Sequence, residues 1–265
     1  MTSVIIRDMK EEDEYYVFSC SHANNAADLN KFQKNKKSWF YERYNDGARA
    51  KVALVDGKRR GFVNVMPIEL CPVEPLGTDL MSIPCLFVSY RPSGSGIGRA
   101  LIVAAEEEAK LQGKEGIVTI GNYNDFWFMP GSFFEKCGYT VVKKKGERAI
   151  MWKVFKGAPN PPVFFKENSE TSLISGKIVL DLFWMTFCGA EDKDVVCEVM
   201  KEFDDEVVLR EHCVDDRELL LRHQINRGLF VNGKKVDWDY EDPKKGVRLA
   251  IRNVTQKKRE RNSHL

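Results

Sequence analysis

Three glycines, Gly94, Gly96 and Gly98, alternate with Ser95 and Ile97 directly after an apolar run and directly before an alanine- and glutamate-rich stretch. Glycine lets a backbone turn tightly and approach a ligand closely. The first N–H groups of a helix have no internal partner, and the helix dipole favours an anion at that end. A strand over Leu80 to Val88, a glycine loop and a helix from about Arg99 to Gln112 therefore predict a phosphate cradle. Spacing removes two owners for it. A Walker-type loop needs Lys-Ser/Thr after its last glycine, and Arg99-Ala100 stands there. A dinucleotide loop needs G-x-G-x-x-G and an acidic residue ending the next strand, and neither is present.

Other side chains have proton-transfer or ligand chemistry. Glu69, Glu74 and Asp79 lie in the segment before the cradle's strand; each reads as a candidate base or as a solvated carboxylate, with Glu69 first. Cys85, inside an apolar run, reads as core. Asn122 ends the strand that begins at Gly116 and reads as a ligand contact or a turn residue. Tyr123, Phe126, Trp127 and Phe128 line a pocket or pack under a loop. The histidines (His22, His212, His223, His264) and the seven scattered cysteines have no metal-ligand spacing, so no metal site is predicted.

The elements that must position these residues follow from pattern. After a first strand come helical stretches over about 12–24 and 34–44, then β-rich runs over 50–55 and 61–70 joined at Asp56-Gly57, a hairpin signal. A strand over 116–120 follows the cradle's helix. Ser132 to Cys137 then forms a short helix closed by Gly138, the usual helix stop, before a strand from Tyr139.

The run Gly96-Ile97-Gly98-x-x-Leu101 after an apolar strand resembles motif A of the GCN5-related N-acetyltransferases. Phe133-Phe134-Glu135-Lys136-Cys137-Gly138-Tyr139 resembles motif B, in matching order and spacing. The resemblance covers roughly residues 3 to 155. It implies an α/β (α+β) fold with a mixed central sheet and acetyl-CoA as cofactor. It implies direct acetyl transfer to a primary amine, of a small molecule or peptide, in a ternary complex. Ser93, Gly94, Ser95, Gly96, Ile97, Gly98 and Arg99 would hold the pyrophosphate. Leu86, Phe87 and Val88 would pair with the pantetheine arm, joined by Asn122, and Phe134 would lie beside it. Two positions depart from the pattern: Ser93 stands where Gln or Arg is usual, and Phe134 where a tyrosine often protonates the leaving thiolate. The proton source then falls to Tyr123, Tyr139, Ser132 or a water, with Glu69 as base.

Gly157-Ala158-Pro159-Asn160-Pro161-Pro162 can continue neither a helix nor a central strand. It divides the chain into an acetyltransferase-like domain (1–156), a linker (157–168) and a second domain (169–265). The second domain's β-α-β-α-β-β-α pattern, with Leu229 to Lys234 as a late hairpin, looks like a smaller thioredoxin-like domain. Its redox chemistry is missing: Cys188 is followed by Gly189-Ala190-Glu191 instead of a second cysteine, and Arg227 stands at the late proline. The combination is similar to YoaP-type acetyltransferases.

At 265 residues, with 41 basic and 39 acidic side chains and net charge +2, the chain gives no global reason to expect nucleic acid. The basic run Lys257 to Arg261 reads as a solvated terminus. No leader pattern opens the chain, and no apolar run nears the roughly 18 residues a bilayer requires. A cytoplasmic protein with reduced thiols, no membrane partner and homodimerisation as the assembly to test is the expectation. Two rival readings remain: an acyl-CoA-binding sensor with decayed catalysis, and a thiol oxidoreductase acting through Cys188.

Overall fold

The computed structural model describes residues 4–19, 26–89, 96–124, 128–169, 172–188, 191–203, 206–236 and 242–262, without the side chains of 26–32 and 257–262. It divides into two compact units, Met1–Phe165 and Lys166–Leu265.

The first unit contains β1 (Val4–Asp8), α1 (Glu14–Ser19), α2 (Ala26–Glu42), β2 (Arg49–Val55), β3 (Lys58–Pro67) and β4 (Leu80–Val88). It continues with α3 (Ile97–Leu111), β5 (Gly116–Asn122), α4 (Gly131–Lys136), β6 (Thr140–Lys145) and β7 (Arg148–Val154). Its seven strands form one mixed sheet in the order β1-β2-β3-β4-β5-β7-β6. Only β4 and β5 run parallel. Asp56 and Gly57, at φ 51° and 72°, make the tight β2–β3 turn that their sequence announces.

Helix α3 presents Ile97, Leu101, Ile102, Ala105 and Ala109 on one stripe, the period-3.6 pattern of an amphipathic helix. That stripe packs with Val63, Met81, Ile83, Ile117 and Met151. Ile68, Leu80, Val118 and Ile150 form a second cluster with Phe164. Residues 157–165, expected as free linker, belong to this unit as far as Phe165. Val163 and Leu76 exchange backbone bonds of 2.8 and 2.9 Å. Phe164 and Phe165 are buried, and the Phe165 N–H donates to Glu74 at 2.9 Å. Two adjacent phenylalanines outweigh the prolines before them.

The second unit contains β8 (Ile178–Trp184), α5 (Glu191–Met200), β9 (Val207–Cys213), α6 (Arg217–His223), β10 (Gly228–Val231), β11 (Lys234–Val236) and α7 (Pro243–Asn262). Its sheet order is β11-β10-β8-β9, with β8 and β9 parallel. Val196 and Val199 of α5, and Val247 and Ile251 of α7, share a core with Leu180, Leu182 and Leu229. Phe183 packs against His212, His223 and Phe230. Asp181 is fully buried, held by Arg210 at 3.0 Å and His212 at 2.9 Å. Among the described residues no helix is long and apolar enough to cross a membrane.

Candidate functional site

The site begins where the sheet of the first unit stops being continuous. β4 and β5 pair only through Leu80, Met81 and Ser82 against Gly116, Ile117 and Val118. Beyond that β5 stays with β7 as far as Asn122, while β4 stays with β3 as far as Val88. The two parallel strands therefore separate into a V that opens toward their C-terminal ends.

The sequence of β4 explains the separation. Cys85 lies opposite Asn64 and Ser82 opposite Met66, so β4 spends three steps where β3 spends two, a bulge. Pro84 sits in that bulge and has no N–H to give a ladder. Thr119 bridges the apex, its hydroxyl donating to the Ile83 carbonyl at 2.9 Å. The Ser89 N–H donates to Arg60 of β3. Backbone groups alternate in direction along a strand, so those of Leu86 and Val88 point away from β3, toward the opening.

Helix α3 starts at the same end. Gly96 is left-handed (φ 71°) and precedes the helix. The first intrahelical bond runs from the Ala100 N–H to the Gly96 carbonyl, so the N–H groups of Ile97, Gly98 and Arg99 come before the ladder begins. A Cβ on Gly98 would lie 3.1 Å from the Phe133 ring, so any larger residue there requires that ring, and with it the contact of α4 on α3, to give by a few tenths of an ångström. Ser93, Gly94 and Ser95 lie outside the described residues.

The remaining expected residues divide sharply. Leu86, Phe87 and Val88 edge the V. Arg99 donates to the Lys136 carbonyl and ties α3 to the end of α4. Asn122 is spent on the loop behind it, donating from its side chain to the Phe128 carbonyl at 2.8 Å and from its backbone to Met129 at 2.9 Å. Phe134 is completely buried between Phe133 and Tyr139, with ring centroids 5.2 and 5.5 Å away. It is a core residue, because motif B's helix turns that position inward.

Tyr123 is partly exposed at the end of β5, and its phenol donates to Glu135 at 2.6 Å. Desolvation, then the Glu135 carboxylate, pushes that phenol up to about 12. Tyr139 is buried in the α3-side core, its hydroxyl without a hydrogen-bond partner among the described residues. Burial, then the charge of Glu106, holds it well above the ordinary phenol range. Glu69 accepts the Asp79 N–H at 2.7 Å and faces Lys114 at 3.5 Å. Asp79 directly precedes β4, so Glu69 lies at the closed end of the V, with the paired stretch of β4 and β5 between it and the opening. Glu74 is buried and paired with Arg148. Phe126 and Trp127 lie outside the described residues.

Two residues without a signal in any motif sit beside the apex. Asn64 and Ser82 are each 1% exposed, and Asn64 Nδ2 and Ser82 Oγ have no hydrogen-bond partner among the described residues. The one available clue in the sequence is a polar side chain inside the otherwise apolar run Gly61 to Pro67. Among the described residues no group of His, Cys, Asp and Glu has the arrangement of a metal site.

In the second unit Cys188 is exposed and Cys197 half-buried. Arg227 makes two bonds to the buried Asp192, one of 2.7 Å. Burial works against its charge, but the Asp192 bond and charge outweigh it and raise its affinity for the proton.

No protein-family model matches the chain, and no curated protein matches it. Among solved structures it is similar to the PaiA N-acetyltransferase of Thermoplasma acidophilum in complex with coenzyme A, at 16% identity over 58% of this chain and 99% of that one, TM-score 0.43. It is also similar to the ribosomal-protein-alanine N-acetyltransferase of Brucella melitensis, at 19% identity over 57% and 99%, TM-score 0.42. A third is a GNAT-family acetyltransferase of Brucella melitensis in complex with acetyl-CoA, at 14% identity over 63% and 98%, TM-score 0.39.

Proposed function

We propose that the first unit is a GCN5-related N-acetyltransferase domain that takes acetyl-CoA into the V between β4 and β5 and transfers the acetyl group to a primary amine. The observation that carries this reading is the pairing of an opened strand edge with the start of a glycine-led helix. The residues fit the cofactor. The N–H groups of Ile97, Gly98 and Arg99 suit a pyrophosphate, and the backbone of Leu86, on the open edge of β4, suits an amide-bearing arm. When bound, the cofactor supplies the activated acetyl thioester.

The chain's own part is positioning and exclusion of water. The open edge of β4 would hold and orient the cofactor, and the bulge at Ile83–Pro84 fixes the course of that edge, so that transfer would become a local event instead of a bimolecular encounter. Asn64 and Ser82 place unpaired hydrogen-bonding atoms near that bulge, where an acceptor's polar group repairs them. The Tyr123 phenol is committed to Glu135, and the Tyr139 phenol is sealed in the core. In this reading a water, not a tyrosine, moves the proton, and Glu69 braces the loop before β4. The acceptor is a primary amine of a small molecule or peptide, in a cytoplasmic setting.

The second unit, in this reading, is the degenerate thioredoxin-like domain of a YoaP-type protein. The Arg227–Asp192 pair supports it, because Arg227, which stands at the late-proline position, is tied to the first turn of α5, where a redox domain carries its thiol pair.

Calorimetric titration of the full chain with acetyl-CoA, together with release of free coenzyme A thiol against a panel of amines, tests the reading. Binding plus amine-dependent thiol release is expected. Absence of binding would overturn it. The sensor reading draws on one phenol bound to Glu135 and another sealed in the core, and it predicts tight binding with no thiol release for any amine.

A further inference from the structure

The second unit carries a groove remote in sequence from the glycine-led helix and the strands of the V. It runs between α7 and the β10–β11 hairpin and encloses about 360 Å³. Val236, Leu249 and Val254 give it apolar walls, while Lys234, Lys235 and Lys245 stand around it. Leu249 is 56% exposed there, although Val247 and Ile251 on the same helix are fully buried. A surface leucine on its own needs no explanation, but one that lines a concave apolar strip beside lysines does.

Among the described residues the ion pairing around the groove is one-sided. On the flank toward α5, the cations of α7 are neutralised: Lys244 pairs with Glu198 and Arg248 with Glu202. On the groove side Lys235 is held by Glu167, but Lys234 and Lys245 have no ion pair among the described residues.

We propose that this groove binds an anionic amphiphile, an alkyl chain ending in a carboxylate. The chain lies on Val236, Leu249 and Val254, and the carboxylate is held between Lys234 and Lys245. A peptide strand is a poorer occupant, because β11 has only three residues to offer as a template for backbone pairing. What remains is side-chain chemistry, apolar along the floor and cationic at the rim, and that is complementary to an amphiphile. The inference stands apart from the acetyl-transfer reading, since it concerns the second unit alone.

The test uses the full chain, with decanoate and decan-1-ol as probes, followed by calorimetry and amide hydrogen exchange. Decanoate is expected to protect the amides of 234–236 and 249–254, and to bind roughly tenfold or more tighter than decan-1-ol. The double substitution Lys234→Glu with Lys245→Glu is expected to remove that preference at unchanged melting temperature. Leu249→Asp is expected to abolish binding of both probes. The proposal is overturned if decanoate protects neither segment or if decan-1-ol binds equally well. It is also overturned if the lysine variant binds decanoate as the wild type does, or if poly-glutamate protects these amides where decanoate does not.

Discussion

Each unit contains one parallel strand pair, central in the first sheet and at the edge of the second, and the two pairs behave in opposite ways. β8 and β9 stay in register over all seven positions from Ile178↔Val207 to Trp184↔Cys213. β4 and β5 part after three. The difference lies in a few side chains. Pro84 and the bulge around it deny β4 a ladder, whereas β8 and β9 are clamped by Asp181, which reaches both Arg210 and His212 on the neighbouring strand. A parallel pair that stays closed contributes stability. One that opens leaves backbone groups of β4 facing away from β3 with no strand of the sheet opposite them.

Breaking the closed pair gives the largest expected effect. Asp181 is fully buried, so Asp181→Ala leaves Arg210 and His212 facing each other without their anion. Removing one partner of a buried ionic cluster costs about 3 kcal/mol or more. Urea unfolding is expected to show the second unit's transition moving to lower denaturant, while acetyl-CoA binding by the first unit is retained. An unshifted transition would mean that the clamp is dispensable and that the contrast between the two pairs rests on Pro84 alone.

The open pair is tested at its glycine. Gly96 has φ 71°, and a Cβ added there would meet nothing within 4 Å, so space does not forbid a side chain but backbone conformation does. Gly96→Val is expected to cost about 1–2 kcal/mol in stability. It is also expected to weaken acetyl-CoA by roughly tenfold, because the start of α3 must shift. Calorimetry separates the two. A stability loss with unchanged affinity would detach the helix start from the ligand.

Much of this contrast is legible in the sequence, and what is not has physical reasons. The glycine at the start of α3, the two tight turns at Asp56-Gly57 and Asn232-Gly233, and the order of elements as far as β6 follow from local chemistry, whereas β7 has no such signal and the loop over 90–95 lies outside the described residues. Turn residues and hydrophobic period act over a few positions and so can be read there. The bulge is not legible: Pro84 marks a difficulty in the strand but not which neighbour is lost. Motif B puts Phe134 beside the cofactor, yet it lies in the core, because side-chain direction depends on how α4 docks. Residue type ranks Glu69 first among bases, yet its distance from the opening is set by the β3–β4 connection. Residue type suggests chemistry, and only topology decides whether that chemistry reaches the site.

Acid gives a third and smaller contrast. In the first unit Asp13 is fully buried. Burial alone would raise its affinity for protons, but bonds from Arg7, the Lys10 N–H and Arg59 outweigh it and hold it below the ordinary carboxylate range. Glu108 is lowered too: burial opposes this, and Gln112 and Lys51 prevail. A group whose folded pKa is depressed contributes stability above its unfolded pKa, near 4, and loses that contribution as pH falls through the folded value. Thermal melts of the first unit are therefore expected to be flat from neutral pH down to about pH 5, then to fall steeply toward pH 3. Asp13→Asn is expected to lower the neutral-pH melting temperature and flatten that acid slope. A slope unchanged by the substitution would assign the acid response to other carboxylates.

The smallest expected effect decides the role of the two phenols. The Tyr139 hydroxyl is buried without a partner among the described residues, and an unsatisfied buried polar group costs about 1–3 kcal/mol. Tyr139→Phe removes that cost at nearly constant volume, so the first unit is expected to gain about 1 kcal/mol with unchanged turnover. Tyr123→Phe breaks a bond to Glu135 at the surface and is expected to change stability by less than about 1 kcal/mol. If turnover falls strongly in Tyr123→Phe with affinity for acetyl-CoA retained, the phenol leaves Glu135 when the site fills and acts as the proton donor. If turnover stays within about twofold in both variants, neither tyrosine donates the proton, and the V works by holding its ligand in place beside Asn64 and Ser82.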